Sequence, residues 1–309
     1  MDRTFVLVTA AHNEEEFIAE TLESVIAQKA RPHRWIVVND GSVDRTGEII
    51  RSYASRHSFI EQIESNHPHS HEFAAQVQAL NRGISPLGAS RYAFICILDA
   101  DVSFEPWYFS RLLDKFESDP SLGLAGGYVY EYVHGHMQSR KRNAAWSVAG
   151  ATQMFRRECF ESIGGLPPLN YGGEDTYMEV SARMLGWRVA SFPELQVLHR
   201  RRQGAAVGCL RYLFRQGLMD FSLGMHPLFE LGRCARRLSG RPLGVGGLIR
   251  FLGFVWAACC NTERPVSPKF VEFLRAEQVS RMRLLRRSRG RQWDGQAGSK
   301  GSQAKVGGL

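Results

Sequence analysis

The 309-residue sequence has six cysteines, yet no CxxC pair and no even spacing among Cys96, Cys159, Cys209, Cys234, Cys259 and Cys260. A disulfide framework and the common zinc motifs are thereby excluded, and reduced core thiols in a cytosolic protein are the reading that fits. No signal peptide is visible: Thr4 to Ala11 is too short an apolar stretch, and Asn13-Glu14-Glu15-Glu16 follows at once. GxGxxG and Walker loops are absent, which weighs against a dinucleotide or ATP site. No uninterrupted apolar run reaches the ~20 residues of a membrane span. The longest stretch, Leu243 to Cys260, contains Arg250 and is broken by glycines.

Acidic residues are scarce in one region only. From Arg200 to Leu309 there are 21 Lys and Arg against 6 Asp and Glu, so residues 1–199 hold 18 against 25 of the totals 39 and 31. An acidic front and a basic rear imply two different tasks, the rear facing nucleic acid, anionic lipid or a phosphorylated substrate. No nucleic-acid motif accompanies the charge, so nucleic acid is not expected as a partner.

Strand and helix patterns alternate through the front. Thr4–Ala10, Arg34–Asn39, Phe59–Glu64 and Tyr92–Leu98 read as strands. Asn13 is the expected N-cap of the first intervening helix, Asp44 opens the second, and His71–Ile84 is amphipathic. This alternation calls for an α/β fold with a mostly parallel sheet covered on both faces. In such sheets ligands bind beyond the carboxyl ends of the strands. Those ends carry Ala10-Ala11-His12-Asn13-Glu14, Asp40-Gly41-Ser42 and Asp99-Ala100-Asp101. An Asp-x-Asp after a buried strand suits a hard divalent cation bridging substrate phosphates, although the same triplet also serves as an ordinary turn. Val102–Pro106 reads as a loop leading to a helix near Pro106. Leu122–Tyr130 and Trp146–Phe155 read as further strands, and Glu131–Asn143, with His134, His136, Arg140, Lys141 and Arg142, as a mobile or merely solvated loop. Gly172-Gly173-Glu174-Asp175 opens a helix with Met178, Ala182 and Leu185 on one face; acids there also favour the helix dipole without any further role. A last strand runs from Trp187 to His199.

The segments VTAAHNEE, VVNDGSVDRT, ALNRGI, ILDADV and GGEDTYMEVSARMLGWRV, in this order, resemble family 2 glycosyltransferases of the GT-A fold. The resemblance runs from about Thr4 to His199. It implies an inverting transferase that uses a nucleotide-diphosphate sugar, UDP-sugar favoured, and a divalent Mn2+ or Mg2+. By resemblance, Ala11, Asn13, Glu14, Asp40, Ser42, Asp99 and Ala100 bind the nucleotide sugar: Asn13 and Glu14 beside the base, Asp40 on its edge, Asp99 at the ribose. Asp101 is the implied metal ligand, with His199 completing the shell or contacting the diphosphate. Asp175, with Glu174, takes the place of the catalytic base. Two departures stand out. Ala11-His12 replaces the usual proline and aromatic residue, and HPHSHEFAAQV replaces a segment with glycine and lysine, leaving that nucleotide contact open. His67, His69 and His71 there read as a polar loop rather than a metal cluster.

The QxxRW motif of the processive synthases is absent, so single addition is expected. Arg211 and Arg215 are the nearest basic pair, and Arg215 is the candidate for the diphosphate. Basic clusters at Arg233–Arg241 and Arg281–Arg291 flank Leu243–Cys260, which reads as an interfacial or re-entrant segment or as a buried helix. Such clusters suit the anionic inner leaflet, at about 1 kcal/mol per Lys or Arg. The expected organisation is a GT-A domain at 1–205 (nucleotide half 1–105, acceptor half 106–205), a helical basic extension at 206–287, and a disordered tail at 288–309. The expected setting is the cytoplasm, peripheral on the inner face of the plasma membrane. The expected role is cell-surface polysaccharide or glycolipid assembly on a saccharide acceptor, lipid-linked in one version. The alternatives are transfer to polyprenyl phosphate and a non-catalytic nucleotide-sugar-binding protein.

Overall fold

Apolar runs too short for helices, bounded by polar turns, form the strands, and the 3.6-residue patterns between them form the helices. The computed structural model describes residues 2–65, 73–88, 90–133, 136–140, 143–200, 209–237 and 245–283. The expectations placed on His67, His69, His71, His134, Lys141, Arg142, Arg241 and the 288–309 tail lie outside them. The chain divides into two units, Met1–Tyr212 and Leu213–Leu309.

The first unit begins β1 (Phe5–Ala11), α1 (Ile18–Ile26), β2 (Arg34–Asp40), α2 (Thr46–Ala54), β3 (Ile60–Ser65) and α3 (Phe73–Ile84). After a 3₁₀ turn at Ser85–Leu87 come β4 (Phe94–Leu98), β5 (Val102–Phe104), α4 (Tyr108–Ser118), β6 (Leu122–Val133), β7 (His136–Ser139) and β8 (Thr152–Arg156). The unit closes with α5 (Arg157–Ile163), α6 (Glu174–Met184) and β9 (Arg188–His199). One sheet runs β3-β2-β1-β4-β8-β6-β9-β5, with β7 paired to β6. Strands β3, β2, β1 and β4 are mutually parallel, whereas β8 runs antiparallel to β4 and β6, and β5 antiparallel to β9.

Alternation along each strand divides the core. Phe5, Leu7, Trp35 and Val37 pack with Ile18, Leu22 and Phe109 on one face; Val6, Val8, Ile36 and Val38 pack with Val77, Leu80 and Met178 on the other. Because both faces are covered, these strands are apolar throughout instead of alternating.

Several local expectations give way to tertiary contacts. Asn13 is not a helix cap: it takes φ 53°, its side-chain oxygen accepts from the Val43 amide (2.9 Å), and α1 begins only at Ile18. Val102–Phe104 is a strand because β9 pairs with it, and the following helix starts at Tyr108 rather than near Pro106. Within Trp146–Phe155 only Thr152 onward is strand; the Val148 amide donates instead to the Glu179 carboxylate (2.6 Å). The segment after Tyr130 contains the β6–β7 hairpin, braced by Arg140 against Glu131. Leu185 lies just past α6 and is exposed. Cys96, Cys159 and Cys234 are buried as expected of core thiols, but Cys259 and Cys260 are exposed.

The second unit contains the rest of α7 (Cys209–Ser222), α8 (Pro227–Arg237), α9 (Val245–Cys259) and a helix, α10, at residues 268–283. No helix among the described residues is long and apolar enough to cross a membrane. Within Leu243–Cys260, Val245–Cys259 forms α9, and its Arg250 is fully buried against Asp220 and Glu230.

Candidate functional site

The parallel run β2-β1-β4 aligns three carboxyl ends along one rim: Ala11 pairs with Asn39, and Val8 with Ile97. The loops beyond these ends brace one another. The Asn13 amide donates to Ser42 Oγ (3.1 Å), and the Glu14 amide to Thr46 Oγ1 (2.7 Å). His12 Nδ1 donates to the Asp40 carbonyl (2.7 Å), while Asn13 Nδ2 donates to His12 Nε2 (3.1 Å). Together these bonds select the Nδ1–H tautomer, so His12 has a structural task that the proline-and-aromatic comparison did not suggest.

The Asp40 side chain is oriented from behind. Ser65 at the end of β3 donates to Asp40 Oδ1 (2.8 Å), and Arg82 on α3 donates to Ser65 Oγ (2.8 Å). Neither Ser65 nor Arg82 stood out in the sequence, although Arg82 lies inside ALNRGI; only β2–β3 pairing brings Ser65 opposite Asp40.

Buried β4 ends at Leu98, and the chain turns through Asp99-Ala100-Asp101 into β5. Thr21 of α1 fixes that turn: its hydroxyl donates to the Ala100 carbonyl (2.7 Å), and it accepts from the Val102 amide (3.1 Å). Strand β9 pairs His199 with Val102, and the Arg200 amide donates to the Asp101 carbonyl (2.9 Å). His199 Nε2 is consequently 3.6 Å from Asp99 Oδ2 and 3.5 Å from Asp101 Oδ1. One potential ligand atom from each of the three lies within 4.8 Å of the others, and Asp101 and His199 are buried. Burial lowers the His199 pKa, but the bond to Asp99 and the charges of Asp101 and Asp99 outweigh it, so the net shift is upward.

Gly172 (φ 82°) and Gly173 (φ 94°) hold left-handed conformations that a side chain would strain, and they turn the chain into α6. Its first two residues are Glu174 and Asp175. Burial first, then the charge of Asp175, pushes Glu174 up to about 7, and Asp99 adds to the effect. Glu174 Oε2 is buried with no hydrogen-bond partner among the described residues. Asp175 Oδ1 accepts from the Thr176 amide (2.6 Å), and a Cβ on Gly150 would sit 3.7 Å from its Oδ2. One turn further, buried Glu179 accepts from Ser147 Oγ (2.9 Å) and the Val148 amide (2.6 Å), with Arg183 3.6 Å away. Burial, then the Asp175 charge, pushes it up to about 8. Glu179 holds the loop that carries Gly150, a role invisible in a motif read only for its Glu-Asp pair.

A divalent cation fits the first group on chemical grounds. Two carboxylates and an imidazole offer O, O and N donors at mutual distances that one ion can span, and the nearby acids leave the site rich in negative charge. Asp99, Asp101 and His199 would hold it. Ala11, Asn13, Glu14, Asp40, Ser42, Asp99 and Ala100 all belong to the loops or strand ends of this rim. Arg215 lies on α7 in the second unit.

Comparisons with known proteins point to one family and one fold. A family model described as "Glycosyl transferase family 2" matches residues 6–172. A poly-beta-1,6-N-acetyl-D-glucosamine synthase of Staphylococcus aureus is 34% identical over 128 residues, 40% of this chain and 27% of the relative. The matched part thus spans about a quarter of such relatives. Among solved structures, a mannosyltransferase from Pyrobaculum calidifontis in complex with GDP-Man and Mn2+ aligns with TM-score 0.54 and 16% identity, over 88% of this chain and 80% of that one. S. aureus TarS 1-349 in complex with UDP-GlcNAc aligns with TM-score 0.53 and 14% identity, over 88% and 78%. At these identities the structural likeness establishes the fold, which is GT-A.

Proposed function

The chain belongs to glycosyl transferase family 2, and from that premise we propose that it moves a sugar, with inversion, from a nucleotide-diphosphate sugar to an acceptor hydroxyl in cell-surface polysaccharide assembly. The observation that carries the proposal is the Asp99–Asp101–His199 cluster at the carboxyl end of β4, where strand pairing brings three potential ligand atoms within 4.8 Å of one another. The similarity to a polysaccharide synthase supports the setting, and the UDP-GlcNAc and GDP-Man complexes of the structural neighbours support the donor class.

Asp40, held by Ser65, reads the edge of the base, with Asn13, Glu14 and Ser42 at its side. Asp99, Asp101 and His199 would hold Mn2+ or Mg2+, which would supply charge neutralisation at the diphosphate worth several kcal/mol. Asp175 takes the acceptor proton as the hydroxyl oxygen bonds to the anomeric carbon. The bond from that carbon to the phosphate oxygen breaks, and the nucleoside diphosphate leaves with the electron pair. Burial keeps Glu174 largely protonated up to about 7, which limits repulsion of both the leaving group and the Asp175 carboxylate. Proton removal of this kind contributes ~10²–10⁴-fold.

A panel of UDP-, GDP- and dTDP-sugars, assayed for nucleotide release with Mn2+ or Mg2+ and with chelator, tests the proposal. The expected result is release that depends on one donor and on a saccharide acceptor and stops with chelator. Release only with free polyprenyl phosphate would move the reading to that acceptor. Tight donor binding without turnover under any condition would move it to a non-catalytic protein.

A further inference from the structure

The charge distribution of α8 and α9 is turned inside out. Asp220, Glu230 and Arg250 are fully buried, Arg250 pairing with both acids and Gln216 Oε1 lying 3.3 Å from its Nη1. The outward positions of α9 recur every three or four residues, as Leu248, Leu252, Val255 and Trp256, and all are apolar. On α8, which packs against α9, Leu228 and Leu231 are exposed in the same manner. Leu228 is 65% and Trp256 60% exposed, so these are not grazing exposures. A water-facing helix has the opposite pattern, with charge outside and leucine inside. Exposed apolar side chains grouped on two packed helices in this way mark an interaction surface.

Two further features identify the solvent it suits. Gly217 of α7 and Gly253 of α9 let these helices touch backbone to backbone: a Cβ on Gly217 would collide with the Arg250 carbonyl, and one on Gly253 with the Phe214 carbonyl. Small residues at the crossing and polar groups paired inside are how helices pack in an apolar medium. The surrounding charge is of one sign. Between Glu230 and Glu263 the sequence has no Asp or Glu, but it has Arg236, Arg237 and Arg241 besides the Arg233 and Arg250 that pair with the buried acids; after Glu277, arginines recur to Arg291 before Asp294.

We infer that the outward face of α8 and α9 is a docking surface for an anionic lipid bilayer. At 15 residues α9 is about 22 Å long, short of the ~30 Å hydrocarbon core, so it lies in the interface plane and does not span. Leu248, Leu252 and Trp256 enter the acyl boundary, and exposed Arg236 and the arginines flanking the helices in the sequence meet the phosphates. A second copy is the poorer occupant, because a two-fold contact would bring these arginine-rich margins together without an acid between them.

Flotation of the full chain with vesicles of phosphatidylcholine alone, or of phosphatidylcholine and phosphatidylglycerol in equal parts, tests the inference. Brominated lipid, compared between wild type and Trp256→Phe, reports the depth of that ring. The expected result is flotation with the anionic vesicles, weakened by salt, and quenching that Trp256→Phe removes. Leu248→Ser with Leu252→Ser, and separately Leu228→Ser with Leu231→Ser, should each lower vesicle partition ~10-fold or more at unchanged circular dichroism. If one pair unfolds, the other pair and the wild-type quenching still decide. Absence of flotation, or flotation of both variants equal to wild type, would overturn the inference. So would a lipid-independent dimer that the serine variants dissociate, since the face would then belong to a second copy.

Discussion

His199 and Asp101 meet across the β5–β9 ladder: His199 pairs with Val102, and its Nε2 lies 3.5 Å from Asp101 Oδ1. Strand pairing, rather than any local motif, puts an imidazole beside the Asp-x-Asp turn. His199→Ala should therefore weaken Mn2+ binding, by the ~10–100-fold typical of a disturbed metal environment, and Asp101→Ala should nearly abolish transfer. Mn2+ titration followed by electron paramagnetic resonance, alongside nucleotide release, checks both. Wild-type Mn2+ affinity in both variants would remove these residues from the metal site.

Asp175→Asn keeps the shape of the α6 start and removes the proposed base. Turnover should fall ~10²–10⁴-fold, while donor affinity by calorimetry stays near wild type. Turnover close to wild type would assign the proton transfer to another group.

Ser65 donates to Asp40, the proposed base contact, and Arg82 donates to Ser65. Ser65→Ala removes one hydrogen bond worth about 0.5–1.5 kcal/mol. Donor KM should rise a few-fold with kcat little changed. A fall in kcat at constant KM would contradict a positioning role.

The Glu179 carboxyl, normally near 4.5, is raised to about 8 in the folded protein. The folded state then binds the proton more tightly than the unfolded chain does. Its contribution to stability is full below about 4.5 and is lost as pH climbs through about 8. Glu179→Gln, which cannot ionise, should lose less Tm than wild type between these two values. Parallel Tm profiles would show that Glu179 ionises normally.

Arg250 pairs with two buried acids that Arg233 also reaches at 3.4 Å, so Arg250→Met, which leaves one cation to two buried carboxylates, should destabilise the second unit by up to about 3–5 kcal/mol. Urea unfolding followed by circular dichroism measures it. A variant as stable as wild type would mean that Asp220 and Glu230 take up protons at little cost.

The nucleotide half was the most legible in the sequence. Strands β1, β2 and β4 are short apolar runs buried on both faces, and the acids at Asp40 and Asp99–Asp101 stand where each run stops. Asn13 misled because a cap signal is local, whereas the residue is held by Ser42 and Val43 of another loop. Trp146–Ala151 misled in the same way: its apolar pattern suits a strand, but Glu179 claims the Val148 amide. The segment Leu243–Cys260 was ambiguous because composition cannot tell which side of a helix faces out.

By itself the amino-acid sequence determined the parallel front of the sheet, the acidic ends of its strands and the uneven charge of the two halves, because burial and charge act residue by residue. Only the tertiary structure decided that His199 stands beside Asp99 and Asp101, that Ser65 and Glu179 support the site, and that Arg250 points inward while Trp256 points out. Those outcomes depend on strand pairing and helix packing between distant segments, whose partners no local pattern specifies.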